Sequence, residues 1–232
     1  MSPKFFIISF FSFFCFLGAV LSTRAQEKSF VHYGLEQGLS QSVILAIYQD
    51  SKGFVWVGTQ DGLNRFDGYS FEKFKNNPLD PSSLGNNWIY SISEDSMGYI
   101  WVGTKVGLSR LNPRKKLFTN YLYSEMDSNS LAGSNVYGVL IGRDGRIYAN
   151  TALSLSCFDP ISSKFKRYYH GFGSTTGVED NQFPLCQEQN GNIWVPTSNG
   201  IACFNPNTET FQNTEKLNSS LPNQYISALH ID

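Results

Sequence analysis

Charge is sparse in this sequence of 232 residues: Asp, Glu, Lys and Arg make up 16% of it and leave a formal net charge of −1. Such a balance carries no electrostatic footprint for nucleic acid. Cysteine is scarce, and beyond the first two dozen residues only Cys157, Cys186 and Cys203 remain. An odd number without close spacing argues against a disulfide framework and against a zinc site, and the three read as small buried hydrophobes. His32, His170 and His230 are scattered, with no HExxH pair and no nucleophile elbow around them. No catalytic residue, cofactor or metal is expected on these grounds. The carboxylate pairs Glu94/Asp95 and Glu179/Asp180 fall in or beside turns, where solvation is the plain reading, and Asn218-Ser219-Ser220 reads as a loop although it fits a glycosylation sequon.

Aromatic residues, by contrast, make up 15% of the chain. Part of that excess lies in the apolar run Phe5 to Leu21, which follows a short start containing Lys4 and precedes Thr23-Arg24-Ala25. This order fits a secretory signal peptide over residues 1–25, with cleavage after Ala25. An uncleaved anchor is the alternative, since the run sits near the lower limit for spanning a bilayer. No later segment is long and apolar enough to cross a membrane, so an exported, soluble mature chain is expected.

The rest of the chain repeats. Phe54-Val55-Trp56-Val57-Gly58-Thr59 with Gly62-Leu63-Asn64-Arg65-Phe66-Asp67 returns as Tyr99-Ile100-Trp101-Val102-Gly103-Thr104 with Gly107-Leu108-Ser109-Arg110-Leu111-Asn112. A worn third copy holds Ile147-Tyr148-Ala149-Asn150-Thr151 and Cys157-Phe158-Asp159-Pro160, and a fourth holds Ile193-Trp194-Val195-Pro196-Thr197 and Cys203-Phe204-Asn205-Pro206. The leading glycines Gly53, Gly98, Gly145 and Gly191 stand 45, 47 and 46 residues apart. A constant period of this length is the mark of a repeat architecture.

Each copy divides into four short β-type runs. In the first copy they are Val43 to Gln49, Phe54 to Thr59, Leu63 to Phe66 and Phe71 to Lys75. Gly53 and its counterparts supply the positive φ that a tight hairpin between the first two runs needs. Asn112-Pro113, Asp159-Pro160 and Asn205-Pro206 start the turn between the third and fourth, where the donor that proline lacks is not required. Four antiparallel strands make one blade, and one blade cannot bury both its faces. Blades stacked around an axis can, which accounts for runs that are nearly apolar throughout. Trp56, Trp101, Tyr148 and Trp194 then belong to the packing between blades.

The expected fold is therefore all-β, a β-propeller of four-stranded antiparallel blades over approximately 38–84, 85–131, 132–181 and 182–222; a flat β-solenoid normally has shorter repeats. Phe30-Val31-His32-Tyr33 is similar to the fourth strands Phe118 to Tyr121 and Phe165 to Tyr168, as expected of a ring-closing outer strand at 30–33. A fifth copy begins at 223–232 with Ile226 to Asp232. Four blades and a start fall short of a ring of six or more, and the expectation is an incomplete ring within a longer parent.

Asp50, Gly53, Trp56 to Thr59, Gly62-Leu63 and Phe66-Asp67, matched by Asp95, Gly98, Trp101 to Thr104 and Gly107-Leu108, resemble the two-component regulator propeller repeat of periplasmic sensors in hybrid two-component systems of Bacteroidetes. The lead-in Gly38-Leu39-Ser40 and the linkers Asp80-Pro81-Ser82-Ser83-Leu84 and Asp127-Ser128-Asn129-Ser130-Leu131 are similar to those sensors too. The third copy departs, with Tyr148 for Trp and Asn150 for Gly, and the fourth has Pro196 for Gly. The resemblance implies a periplasmic region that detects an oligosaccharide, joined in the parent to a membrane helix and a histidine kinase core, in a homodimer, with transcription of polysaccharide-use genes as output. The chain itself would be no enzyme, and the kinase chemistry would lie outside it. A free-standing secreted propeller of carbohydrate-binding, lyase or glycosidase type is the alternative.

Two other patterns fit less well. The Asp50/Gly53/Trp56 series resembles the Asp boxes of sialidase propellers, but its Asp-to-Gly spacing is one residue too long. Quinone-dependent dehydrogenase propellers share Val-Gly-Thr but also carry a blade-ending motif that is missing here. For ligand contact, the glycine-rich stretch from His170 to Asp180, with Phe172 and Glu179, is the longest irregular loop and supplies the candidate residues His170, Phe172, Glu179 and Asp180.

Overall fold

The computed structural model describes residues 30–152, 154–170, 184–197, 200–220 and 229. The chain divides into two compact units, Met1–His32 and Tyr33–Asp232. Of the first only residues 30–32 are described, and Phe30 and Val31 are exposed. The expected signal peptide lies outside the described residues, as does the expected fifth-blade start apart from Leu229. Residues 30–33 carry no sheet pairing among the described residues.

The second unit holds four antiparallel sheets of four strands, each in simple sequence order. Blade 1 is β1 (Ile44–Gln49), β2 (Val55–Thr59), β3 (Gly62–Phe66) and β4 (Phe71–Phe74). Blade 2 is β5 (Ile89–Glu94), β6 (Ile100–Thr104), β7 (Gly107–Asn112) and β8 (Leu117–Tyr121). Blade 3 is β9 (Gly138–Ile141), β10 (Ile147–Asn150), β11 (Ser154–Asp159) and β12 (Lys164–Tyr169). Blade 4 is β13 (Cys186–Gln187), β14 (Ile193–Thr197), β15 (Gly200–Asn205) and β16 (Thr210–Gln212). The strands of blade 1 fall within a residue of the runs expected from sequence, and Gly53 and Gly98 hold φ of 86° and 80° at the first turns. These are the sheets of a β-propeller.

Second strands are buried on both faces: every residue of β6 and of β10 is buried. The cores responsible lie between blades. Trp56, Leu63 and Phe74 of blade 1 pack on Leu84, Ile89, Ile100, Val102, Leu111 and Phe118 of blade 2. Trp101 and Leu108 of blade 2 meet Leu131, Val136, Ile147, Ala149, Phe158 and Phe165 of blade 3. Tyr148, Leu155 and Tyr168 of blade 3 meet Ile193, Val195 and Phe204 of blade 4. The periodic aromatics Trp56, Trp101 and Tyr148 are thus seam residues, each contributing about 1.5–3 kcal/mol by burial.

Close approach sets the glycine of Trp-Val-Gly-Thr. A β-carbon on Gly58 would stand 2.5 Å from Ile89 Cγ2, and one on Gly103 would stand 2.6 Å from the Val136 carbonyl oxygen of the next blade. In blade 3 Asn150 occupies this place and donates through Nδ2 to the Pro196 carbonyl at 3.3 Å.

The linkers tie each blade to the next. The Phe118 amide donates to the Ser82 carbonyl at 2.8 Å and the Phe165 amide to that of Asn129 at 2.9 Å, so each connector runs beside the outer strand of the blade it is about to enter. It then plugs a leucine into the seam, Leu84 or Leu131, both wholly buried. The following amide donates to a polar residue on the third strand, Gly85 to Ser109 Oγ at 3.2 Å and Ala132 to Ser156 Oγ at 3.1 Å. The lead-in repeats the device: Leu39 is buried and the Ser40 amide donates to Asn64 Oδ1 at 3.0 Å.

Candidate functional site

At the end of the blades bearing the first turns, one carboxylate organises each copy. Asp50 Oδ1 accepts from the amides of Lys52 and Phe54, and its Oδ2 accepts from the buried Trp56 indole Nε1 at 2.8 Å. Asp95 does the same with Met97, Tyr99 and Trp101 Nε1, the last at 2.7 Å. Glu188 holds Trp194 Nε1 at 2.8 Å in blade 4. Both carboxylate oxygens of each aspartate are engaged within their own hairpin, so this series is a structural lock.

Blade 3 rebuilds the lock from different residues. Gly142 stands where the carboxylate should be, Asp144 carries it two residues later, and the Tyr148 hydroxyl donates to Asp144 Oδ2 at 2.7 Å. Burial opposes the charge on Asp144, but donation from Tyr148 and Arg146 holds its carboxyl below the usual range. Burial and the same bond push the Tyr148 phenol up. Burial also raises all three thiols, that of Cys157 to about 11, so these cysteines are protonated at neutral pH, with Cys157 and Cys203 buried and Cys186 half-buried.

The opposite end of the blades, where second-to-third turns and inter-blade connectors lie, carries a different cluster. Tyr90 and Tyr137 are buried with ring centroids 5.1 Å apart, and Leu45, Trp88 and Ala152 pack against them. Trp88 is half-buried, its centroid 6.4 Å from that of Tyr90. Lys105, exposed on the β6–β7 turn, places Nζ 4.8 Å from the Trp88 ring centroid and donates its amide to the Trp88 carbonyl at 3.1 Å. Asn135 Nδ2 donates to the Tyr137 hydroxyl at 3.0 Å.

Trp88 and Lys105 are not products of the repeat. Positions equivalent to Trp88 hold Val43 and Asn135, and those equivalent to Lys105 hold Gln60 and Ala152. Seam residues recur because every seam needs them. An aromatic and a cation that meet once, half in solvent, answer to no such need. The result is a small shelf with an apolar ring face beside donor groups.

Of the loop residues expected to contact ligand, Phe172, Glu179 and Asp180 lie outside the described residues. His170 is buried just beyond the end of β12, its ring edge-on to Phe211 with centroids 5.9 Å apart, and burial lowers its pKa to about 4. Among the described residues no cluster of three or more His, Cys, Asp or Glu could hold a metal ion.

The family model described as two component regulator propeller matches residues 38–61 and 83–105, which bracket the first locks and strands of blades 1 and 2. The extracellular domain described as that of a hybrid two-component system from B. thetaiotaomicron shares the fold at a TM-score of 0.59 and 27% identity, over 79% of this chain. Blades 1 and 2 are thus built on the two-component regulator propeller repeat. A second such extracellular domain from the same organism, at 21% identity and a TM-score of 0.61 over 80% of the chain, has the same fold. A histidine kinase, P4, of Formosa agariphila is 44% identical over 79 residues, 33% of this chain. The chain spans 31% and 24% of the two extracellular domains, and the segment matched to the kinase is 6% of that protein. The matched residues contain Trp88 and Lys105, and blades 3 and 4, which lie outside the match, are those that depart at the lock and at the close-approach glycine.

Proposed function

We propose that this chain is part of the extracytoplasmic sensing region of a hybrid two-component sensor histidine kinase, that it binds an oligosaccharide, and that it performs no catalysis itself. In this reading the parent spans the inner membrane as a homodimer, the propeller faces the periplasm, and ligand binding alters transcription of genes for polysaccharide use. The kinase and sensor descriptions of the relatives support the setting.

The observation that carries ligand binding is the Trp88 shelf. A sugar ring offers C–H faces and hydroxyls together, and the shelf offers an indole face with a lysine ammonium and an asparagine amide close by. Calorimetric titration of the purified chain with a panel of plant and algal oligosaccharides tests it. Binding of at least one member is expected, weakened tenfold or more in Trp88→Ala while circular dichroism shows the variant still folded. A panel that fails to bind, or binding indifferent to Trp88→Ala, would remove this assignment.

A further inference from the structure

The three seams between described blades share their apolar contents. Trp56, Trp101 and Tyr148 fill them from the second strand, Leu63, Leu108 and Leu155 from the third, and Phe74, Tyr121 and Tyr168 from the fourth. Burial of this kind is non-directional and does not distinguish one blade face from another. The polar rims of the seams do differ. Glu72, Thr119 and Lys166 hold one position on the fourth strand, across the sheet from Arg65, Arg110 and Cys157. Lys116, Ser163 and Glu209 end the turns that lead into the fourth strands, all with φ of 56° or 57°. That left-handed region strains a side chain and usually falls to glycine. The Lys116 ammonium donates to Glu72 across the seam of blades 1 and 2, and the Lys166 ammonium donates to Glu209 across that of blades 3 and 4. The charges are thus reversed between the two seams, and Thr119 with Ser163 leaves the middle one uncharged. Each carboxylate also meets an arginine, Glu72 that of Arg65 at 2.7 Å and Glu209 that of Arg146 at 3.3 Å.

We propose that these rim charges specify the order of the blades, by rejecting apolar faces that fit one another but are not neighbours. Ion pairs this open to solvent add little to stability, so their use lies elsewhere. If blade 4 stacked on blade 1, Glu209 would meet Glu72. If blade 2 stacked on blade 3, Lys116 would meet Lys166. Specificity is a difference between right and wrong pairings, and it needs a repulsive element as much as an attractive one. Misassembly of similar units is a characteristic failure of repeat chains, and the reversed pairs oppose it while the blades are still finding their partners.

The test is refolding of the purified chain, diluted from urea to a concentration at which it stays monomeric and followed by the native tryptophan emission. Thr119→Glu/Ser163→Lys gives the middle seam the pair of the first, with Arg110 across the sheet to receive the new carboxylate as Arg65 receives Glu72. This variant should keep an equilibrium urea midpoint at or above the parent's. It also makes the first two seams interchangeable, and recovery of the native state should fall about twofold or more. Glu72→Gln/Lys116→Gln, which blanks the first seam, should lower recovery by a similar factor with little change in midpoint. Were the pairs there for stability alone, the first variant would refold as well as the parent or better. Parental recovery in either variant overturns the proposal, as does a loss of recovery that only follows a fall in the urea midpoint.

Discussion

The lock between carboxylate and ring nitrogen shows how much one residue controls in a repeat. Asp50 satisfies two turn amides and a buried indole at once. Asp50→Ala should therefore lower stability by about 2–3 kcal/mol, since it orphans a buried donor as well as loosening a turn, and thermal or urea melts will show it. Blade 3 gives the opposite forecast for what looks like a repair. Gly142→Asp restores the residue type of blades 1 and 2, yet a β-carbon there would stand 2.6 Å from Tyr148 Cε2 and closer still to Asp144 Oδ1. It should cost about 1–3 kcal/mol by overpacking, and a variant as stable as the parent in urea would refute this account of the blade 3 lock. His170 yields a pH dependence. Its folded pKa of about 4 lies below its ordinary value of 6.5, so the unfolded chain takes up the proton first as pH falls. Its stabilising contribution is intact above about 6.5 and declines on the way to pH 4, by an amount on the order of 3 kcal/mol. His170→Asn should flatten that limb of the melting-temperature profile.

At the scale of the element, the connector deserves as much weight as the strand. Arg167 on β12 reaches back to the linker before its own blade, donating to the carbonyls of Ser124, Asp127 and Ser130 at 2.9, 2.7 and 3.0 Å. Asn120 on β8 does the equivalent with the Ser83 carbonyl at 2.9 Å. These bonds hold the linker over the outer strand while Leu131 or Leu84 fills the seam below. Arg167→Ala should release the segment from Ser124 to Ser130, and hydrogen exchange of the Ser130 and Phe165 amides should quicken while that of β10 does not. Unchanged exchange would mean that the leucine alone fixes the connector. Strand positions were legible because turn residues and apolar runs alternate at a fixed period. The connectors' path was not, since their hydrogen bonds join residues 24 to 43 apart and show no local pattern.

At the scale of the whole unit 33–232, blades 2 to 4 each have an apolar face covered by the preceding blade. The corresponding face of blade 1 presents Leu39, Ile44, Val55, Val57, Phe66 and Phe71 around a cavity of about 170 Å³, with Tyr33 laid against Phe66 at 4.7 Å. Ile44 is 43% exposed and Ile47 68%, while Ile89, the seam counterpart of Ile44, is wholly buried. Exposed apolar area of this kind promotes association. The purified chain from residue 26 onward is therefore expected to self-associate at micromolar concentration, and Ile44→Lys/Ile47→Lys to reduce this. A monodisperse, cooperatively melting monomer in light scattering would contradict it.

The period, the four-strand blade and the seam aromatics were readable from the sequence, because each seam imposes the same volume and turn requirements on every copy and so writes them several times. Residues that occur once escape that reading. Trp88 was legible only as one more aromatic among many, although its absence from the equivalent positions Val43 and Asn135 was a usable sign. Only the tertiary structure decided that Trp88 meets Lys105, that Asp144 and Tyr148 stand in for a missing aspartate and tryptophan, and that His170 is a buried seam neighbour. Those outcomes depend on side chains brought together across turns and blades, where contact follows from packing and not from spacing along the chain.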